Sequence, residues 1–332
     1  MATSFPVLCL PNKNIRDVLQ NMSTCNLIAF SLCSKATKSH VMHLKNDIQQ
    51  ISIKAFLSID INILSHNQEV TSLVFFKKDY GRWNFESCES VTATETLTPL
   101  EPESDRVWVK RGFKLRDWID HVMEIFNCSR IHEIYISRIG HEEHYISLSN
   151  AVKELKTETI FFSFCSDTVV QSVVANVQSN DISFNLSFNI EPSMQKHKVL
   201  TRHFERVSFS KDDTREALTL NDLLITNVSQ LNISAHHLSF EELNIFIRHL
   251  ISGSNRRLKI VGIVCAEATR NMQILLKGIS HSVYSAELKI VARNENDYQL
   301  GDTIYVYQNC GRRLAMQTYL FEGVEKIVMR VY

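Results

Sequence analysis

The chain has 332 residues, with 36 Lys plus Arg balancing 36 Asp plus Glu. That length gives room for two or three domains or one elongated one, and the charge balance argues against nucleic acid as a partner, which needs a basic face. With only nine glycines and five prolines, against typical usage of about 7% and 5%, phosphate-cradling loops have little raw material. Neither G-x-G-x-x-G nor G-x-x-x-x-G-K-[ST] occurs, so a nucleotide enzyme is not expected.

The first forty-odd residues set Ile15, Val18, Leu19 and Met22 on one helical stripe across residues 12–22. Ser23 or Thr24 can cap a second helix carrying Leu27, Ile28 and Leu32, and a third short helix is expected over 36–44. About forty residues rarely hold a core of their own without disulfides, metal or a partner.

The period then changes. Ile51, Ile53, Ala55, Leu57, Ile59, Ile61 and Ile63 alternate with mostly polar neighbours, which predicts one bent strand or two. A further strand is expected over 71–76. The acidic, Thr-rich stretch 86–105 reads as an exposed loop. From Lys114 the helical period returns in Leu115, Trp118, Val122 and Ile125.

An apolar spacing of one, four and six then recurs. It appears in Ile131-x-x-Ile134-x-Ile136, Phe204-x-x-Val207-x-Phe209, Val228-x-x-Leu231-x-Ile233 and Leu258-x-x-Val261-x-Ile263. Weaker copies fall near 155–162 and 181–190. A helix is expected over 239–251: Ser239 and Glu242 form a capping box, Phe240, Leu243, Ile247 and Leu250 the stripe, and Gly253 a stop. Strand-plus-helix units every 20 to 30 residues predict a leucine-rich-repeat-like solenoid. Residues 304–307, 314–319 and 326–331 read as a short β-meander that would cap its open end.

Candidate chemistry is sparse. His141-Glu-Glu-His144 has i, i+3 spacing, not the i, i+4 of a zincin helix, and with His132 it reads as a mixed-charge surface loop. His236-His237 reads as a loop. The eight cysteines, Cys9, Cys25, Cys33, Cys88, Cys128, Cys165, Cys265 and Cys310, contain no C-x-x-C. The sequence opens without a basic n-region or apolar h-region, so export and a disulfide framework are not expected. Cys9, Cys25 and Cys33 are expected to pack as small hydrophobes. Asp117 and Asp120 read as a solvated face, and Trp83, Trp108 and Trp118 as core or edge packing. Arg256-Arg257 and Arg312-Arg313 read as solvated pairs. No G-x-S-x-G elbow occurs, no metal or cofactor is expected, and apolar runs are too short to span a membrane.

Phe5-Pro6-x-Leu8-x-x-Pro11, Val18-Leu19 and Leu27-Ile28-x-x-Ser31-Leu32-x-Ser34 together resemble an F-box. More narrowly, the chain resembles the nematode F-box proteins that carry an Sdz-type F-box-associated domain (type 2). Two downstream stretches extend the match: residues 115–128, which resemble the helix leading into that domain's first repeat, and residues 231–244 through 258–260, which resemble its core. The resemblance covers nearly the whole chain.

It implies a mixed α/β fold: a three-helix F-box at 1–48, a strand-rich linker region and acidic loop at 49–112, a repeat-like associated domain at 113–265, and a C-terminal helix and β-meander cap at 266–332. It implies a non-catalytic adaptor of the cytoplasm or nucleus. The F-box docks on the Skp adaptor of a cullin-RING ubiquitin ligase, and the rest selects a protein substrate. Leu8, Pro11, Ile15, Val18, Leu19, Leu27, Ile28 and Leu32 are then the expected adaptor-binding residues. Because the downstream elements fit a repeat core and cap of their own, this stripe is expected to find no cover within the chain. Tyr135 and Asn232, between apolar ribbon positions, are the candidates for substrate contact. The alternative is an interaction scaffold, outside any ligase, whose N-terminal helices pack on its own body.

Overall fold

The computed structural model describes residues 7–44, 48–56, 58–75, 88–96, 105–137, 142–163, 165–185, 196–210, 218–234, 238–265, 272–284, 299–307, 313–321 and 324–332. The chain divides into two compact units: Met1–Ile160 with Thr168–Ser179, and Phe161–Asp167 with Asn180–Tyr332.

The first unit opens with a 3-10 turn, Val7–Cys9, and three helices, α1 (Asn12–Gln20), α2 (Thr24–Ser31) and α3 (Lys35–Met42). Each start has a local cause. Pro11 pre-sets the backbone before α1. Ser23 Oγ accepts from Asn26 N at 3.4 Å before α2, and Ser34 and Thr37 form a capping box on α3.

The alternating isoleucines form a hairpin, β1 (Ile48–Ala55) and β2 (Ile59–Ser65), followed by β3 (Val70–Phe75). Residues 86–105, expected as loop, contain a strand, β4 (Ser90–Thr96), and β5 (Arg106–Val109) follows. Val91, Ala93 and Glu95 of β4 point into the core. Then come α4 (Leu115–Ile125), β6 (Ile131–Ser137), α5 (Glu142–Ala151), β7 (Lys156–Ser163) and α6 (Asp167–Asn176). The expected His141–His144 loop is thus, from Glu142 onward, the start of a helix; His141 lies outside the described residues. The strand order in this unit is β7-β6-β1-β2-β3-β4-β5. β1 runs parallel to β6 and antiparallel to β2, and the remaining pairs out to β5 are antiparallel.

The second unit takes up β8 (Gln178–Asn185), α7 (Lys196–Leu200), β9 (Arg206–Ser210), α8 (Leu220–Leu224), β10 (Gln230–Ser234), α9 (Phe240–Ile251), β11 (Ile260–Val264) and α10 (Met272–Leu275). It ends with β12 (His281–Tyr284), β13 (Gln299–Tyr307), β14 (Arg313–Phe321) and β15 (Val324–Val331). The recurring apolar spacing marks strands every time. β8, β9, β10 and β11 pair in parallel, with Ile182, Val207, Leu231 and Val261 in one row. Phe162, Phe184 and Phe209 stack at 5.3 and 5.0 Å between centroids, which holds successive strands in register through the core. The meander forms as β13-β14-β15, and β15 lies antiparallel along β11, so the parallel run ends on a paired edge. α9 begins on the Ser239–Glu242 capping box and stops at Gly253, whose φ of +76° suits a residue without Cβ.

Among the described residues, no helix is long and apolar enough to cross a membrane. Cys25, Cys165 and Cys265 are buried, but Cys9 and Cys33, expected to pack, are exposed. Trp118 is fully buried, with Nε1 donating to Cys88 O at 2.6 Å, while Trp108 is half-buried.

Candidate functional site: the N-terminal helices and the uncovered sheet face

The N-terminal stripe divides into two sets. Ile15, Leu19, Leu27 and Ile28 are between 0% and 3% exposed, inside the first unit. Leu8 is 49% exposed and Val18 38%, Pro11 is exposed, and Leu32 is half-buried. The expectation that this stripe lacks cover within the chain is therefore corrected for four of its eight members. The helices supply part of the reason themselves, since α1 packs on α3; the apolar face of α4 and the inward residues of β4 supply the rest, with α2 packed against both and α3 on α4.

Polar contacts reinforce that packing. Ser31 Oγ donates to Ile28 O at 2.6 Å and lies 2.8 Å from His121 Nε2 on α4. With the hydroxyl proton committed to Ile28, Nε2–H is the donor to Ser31. His121 is 6% exposed and stands beside the ring of Phe113, which Trp118 also meets edge-on. Burial pushes its pKa down to about 4, with Lys38 adding to the fall, Glu124 opposing it and Lys110 adding a little more. Lys38 pairs with Glu124 at 2.5 Å, and Lys110 Nζ donates to Leu32 O at 2.6 Å. Arg106 donates to Asn26 Oδ1 at 2.6 Å, and Ser23 Oγ to Glu95 Oε2 at 3.1 Å.

Sequence reasoning missed His121 and Glu95 as partners of the N-terminal helices. For His121 the signal was present: positions 118, 121, 122 and 125 fall on one helical face. Asp117, expected as solvated, accepts from Lys114 N at 2.8 Å and so caps α4, while Asp120 pairs with Arg116. A pocket of about 210 Å³ lies among Met22, Ser23, Leu27, Ile48, Glu69 and Phe126. It is below the ~300–1,000 Å³ usual for small-molecule sites. Among the described residues, no three His, Cys, Asp or Glu side chains stand close enough to hold a metal.

Among the described residues, the strands bury one face, and the other carries mostly polar, half-buried side chains. In the first unit the uncovered face carries Tyr135, stacked on Phe56 at 5.0 Å, and His132 on the same strand accepts from Ile51 N at 3.2 Å. In the second unit it carries Asn232, whose Nδ2 donates to Ser208 Oγ at 3.3 Å. Tyr135 and Asn232, expected as exposed, are half-buried, each held by a neighbour. Arg257, expected as solvated, donates to His203 O at 3.2 Å. His236, His237 and Arg312 lie outside the described residues, as do Trp83 and Cys310.

Residues 7–49 match the F-box domain model, and residues 195–263 match the F-box associated model. The chain is 25% identical over 260 residues to the F-box associated domain-containing protein sdz-33 of Caenorhabditis elegans, with 78% of each chain covered. The likeness to F-box proteins with an F-box-associated domain, first drawn from short motifs, is thus shown in both places. The F-box match spans the three N-terminal helices, and the associated match runs from α7 through most of β11.

Proposed function

We propose that a chain carrying these two matches is the substrate-recognition subunit of a Skp-cullin-F-box ubiquitin ligase. It is not itself an enzyme. The F-box holds the Skp adaptor, the sheet-bearing region holds a protein substrate, and the complex works where cytoplasmic or nuclear ligases work. The observation that carries this reading is the F-box match over residues 7–49 on helices that keep Leu8, Pro11 and Val18 exposed. A small exposed apolar set in a polar frame suits a docking contact. The recurring strands and their parallel pairing support a repeat-like ribbon for the substrate, with residues 113–265 as its frame and 266–332 as its cap.

The test uses purified full-length chain and purified Skp adaptor. The double variant Leu8→Asp, Val18→Asp is expected to lose adaptor capture while keeping its thermal midpoint. Undiminished capture by that variant removes the assignment of the docking face, and no capture by the unaltered chain removes the ligase reading.

A second reading has its own support. Ile15, Leu19, Leu27 and Ile28 are buried in the first unit and clasped by Ser31–His121 and Lys38–Glu124, as in a scaffold whose N-terminal helices only complete its own body. That reading expects no adaptor capture at all.

A further inference from the structure

The uncovered sheet face of the second unit is unbalanced in charge although the whole chain is neutral. In-register pairing places Asp181, Arg206, Gln230, Ile260 and Arg330 in one row across β8, β9, β10, β11 and β15. Hydrogen bonds confirm that these side chains share a face. Arg206 pairs with Asp181 at 3.2 Å and donates to Gln230 Oε1 at 3.1 Å, and Arg330 donates to Gln317 Oε1 at 2.7 Å. Lys326 sits four pairs farther along β15, opposite Val264 and on the same face. Among the described side chains of β8, β9, β10, β11 and β15, one carboxylate, Asp181, thus shares this face with three cations, Arg206, Lys326 and Arg330. The salt bridge to Arg206 neutralises that carboxylate, so a surplus of two remains.

The middle of the face is low. Gly262 lies between Asn232 and Val328, and a Cβ there would run into Asn232 Oδ1 and come within 3.1 Å of Lys326 Cε. The missing side chain lets the Asn232 amide and the Lys326 stem lie across β11.

We propose that this face binds an extended peptide segment rich in Asp and Glu, and that in the assembled ligase this segment belongs to the substrate; the second half rests on the adaptor reading above. The spacing of the cations selects the source of negative charge. Lys326 and Arg330 are four residues apart on one strand, about 14 Å, and Arg206 stands three strands from Arg330, again about 14 Å. One phosphate meets converging donors, whereas charges this far apart match carboxylates four residues apart on an extended chain. Charge complementarity of this kind speeds encounter and selects partners.

The experiment is fluorescence anisotropy on the intact chain with three labelled peptides: one alternating Asp and Glu with Ser, its Asn/Gln isostere, and a neutral peptide bearing a single phosphoserine. The acidic peptide is expected to bind, and more weakly as NaCl is raised. The double variant Lys326→Glu, Arg330→Glu is expected to lose about tenfold or more in affinity. If that variant fails to fold, Lys326→Gln, Arg330→Gln takes its place, with an expected loss of about fivefold. Equal binding of the isostere, binding of the phosphopeptide alone, or an affinity unchanged in the folded variant overturns the proposal. Adaptor capture is measured on the same preparations. Capture without acidic-peptide binding sinks this inference and leaves the ligase reading standing, and peptide binding without capture does the reverse.

Discussion

Acidification should unfasten the N-terminal helices through one residue. The His121 pKa is held at about 4 in the folded protein against an ordinary value of 6.5. Above pH 6.5 both folded and unfolded chains carry it neutral, and its contribution to stability is complete. Between 6.5 and about 4 the unfolded chain takes up a proton that the folded chain refuses, so stability falls with falling pH. Below about 4 both states are protonated and the loss stops. The 2.5-unit difference corresponds to roughly 3 kcal/mol in all, at no more than about 1.4 kcal/mol per pH unit. Urea unfolding followed by tryptophan fluorescence at steps from pH 7.5 to 4.5 reads this slope, with carboxylates adding their own part at the acid end. His121→Gln keeps an amide that can reach Ser31 and removes the titration, so its slope between pH 7 and 5 is expected to be nearly flat. Equal slopes for the two proteins over that interval would refute the reasoning, because the proton uptake would then lie elsewhere.

Leu19→Ala and Leu27→Ala should each cost about 2–5 kcal/mol in chemical denaturation, as buried leucines do, whereas Leu8→Ala should stay within about 0.5 kcal/mol; similar costs for all three would contradict the burial. Gly262→Ala should destabilise by about 1–3 kcal/mol through overpacking against Asn232, and most of that should vanish in an Asn232→Ala background; a cost that simply adds in the double variant would rule out the contact. Among the described cysteines, Cys9 and Cys33 should be labelled first by a maleimide under native conditions, as mapped by peptide mass spectrometry. Cys265, pushed up to about 12, and Cys88, pushed up to about 11, both chiefly by burial, should remain unmodified at pH 8.

Much of the sheet was legible because a strand buried on one face must alternate. Ile51, Ile53, Ile61 and Ile63 show that directly, and the recurring one-four-six spacing located β6, β9, β10 and β11 before any pairing was known. α9 was legible from its cap, its stripe and its glycine stop. β4 was not, because the inward residues of Ser-Val-Thr-Ala-Thr-Glu-Thr are small or charged. Ala93 gives little hydrophobic signal, and Glu95 gives the wrong one, yet the residue is only 7% exposed and its carboxylate accepts from Ser23. The division of the N-terminal stripe was illegible for a different reason. Helical periodicity says which residues share a face, but what covers that face depends on α4 and β4, some 70 to 90 residues away.

That division bears on how an adaptor could dock. Burying Ile15, Leu19, Leu27 and Ile28 is worth roughly 6–12 kcal/mol together, at ~1.5–3 kcal/mol each. A docking mode that drew them out of the first unit would have to restore that sum, break the buried Ser31–His121 contact and still meet the cost of association. A mode that leaves them in place needs only Leu8, Pro11, Val18 and the half-buried Leu32, with the helices already ordered by their clasp. The buried residues then act by holding α1 and α2 in shape. Leu27→Ala should therefore weaken adaptor capture only under conditions where it also lowers the folded fraction, whereas Leu8→Asp should weaken capture at full folding. If Leu27→Ala abolished capture while the chain stayed folded, the adaptor would be reaching the buried stripe, and the N-terminal helices would have to open before they dock.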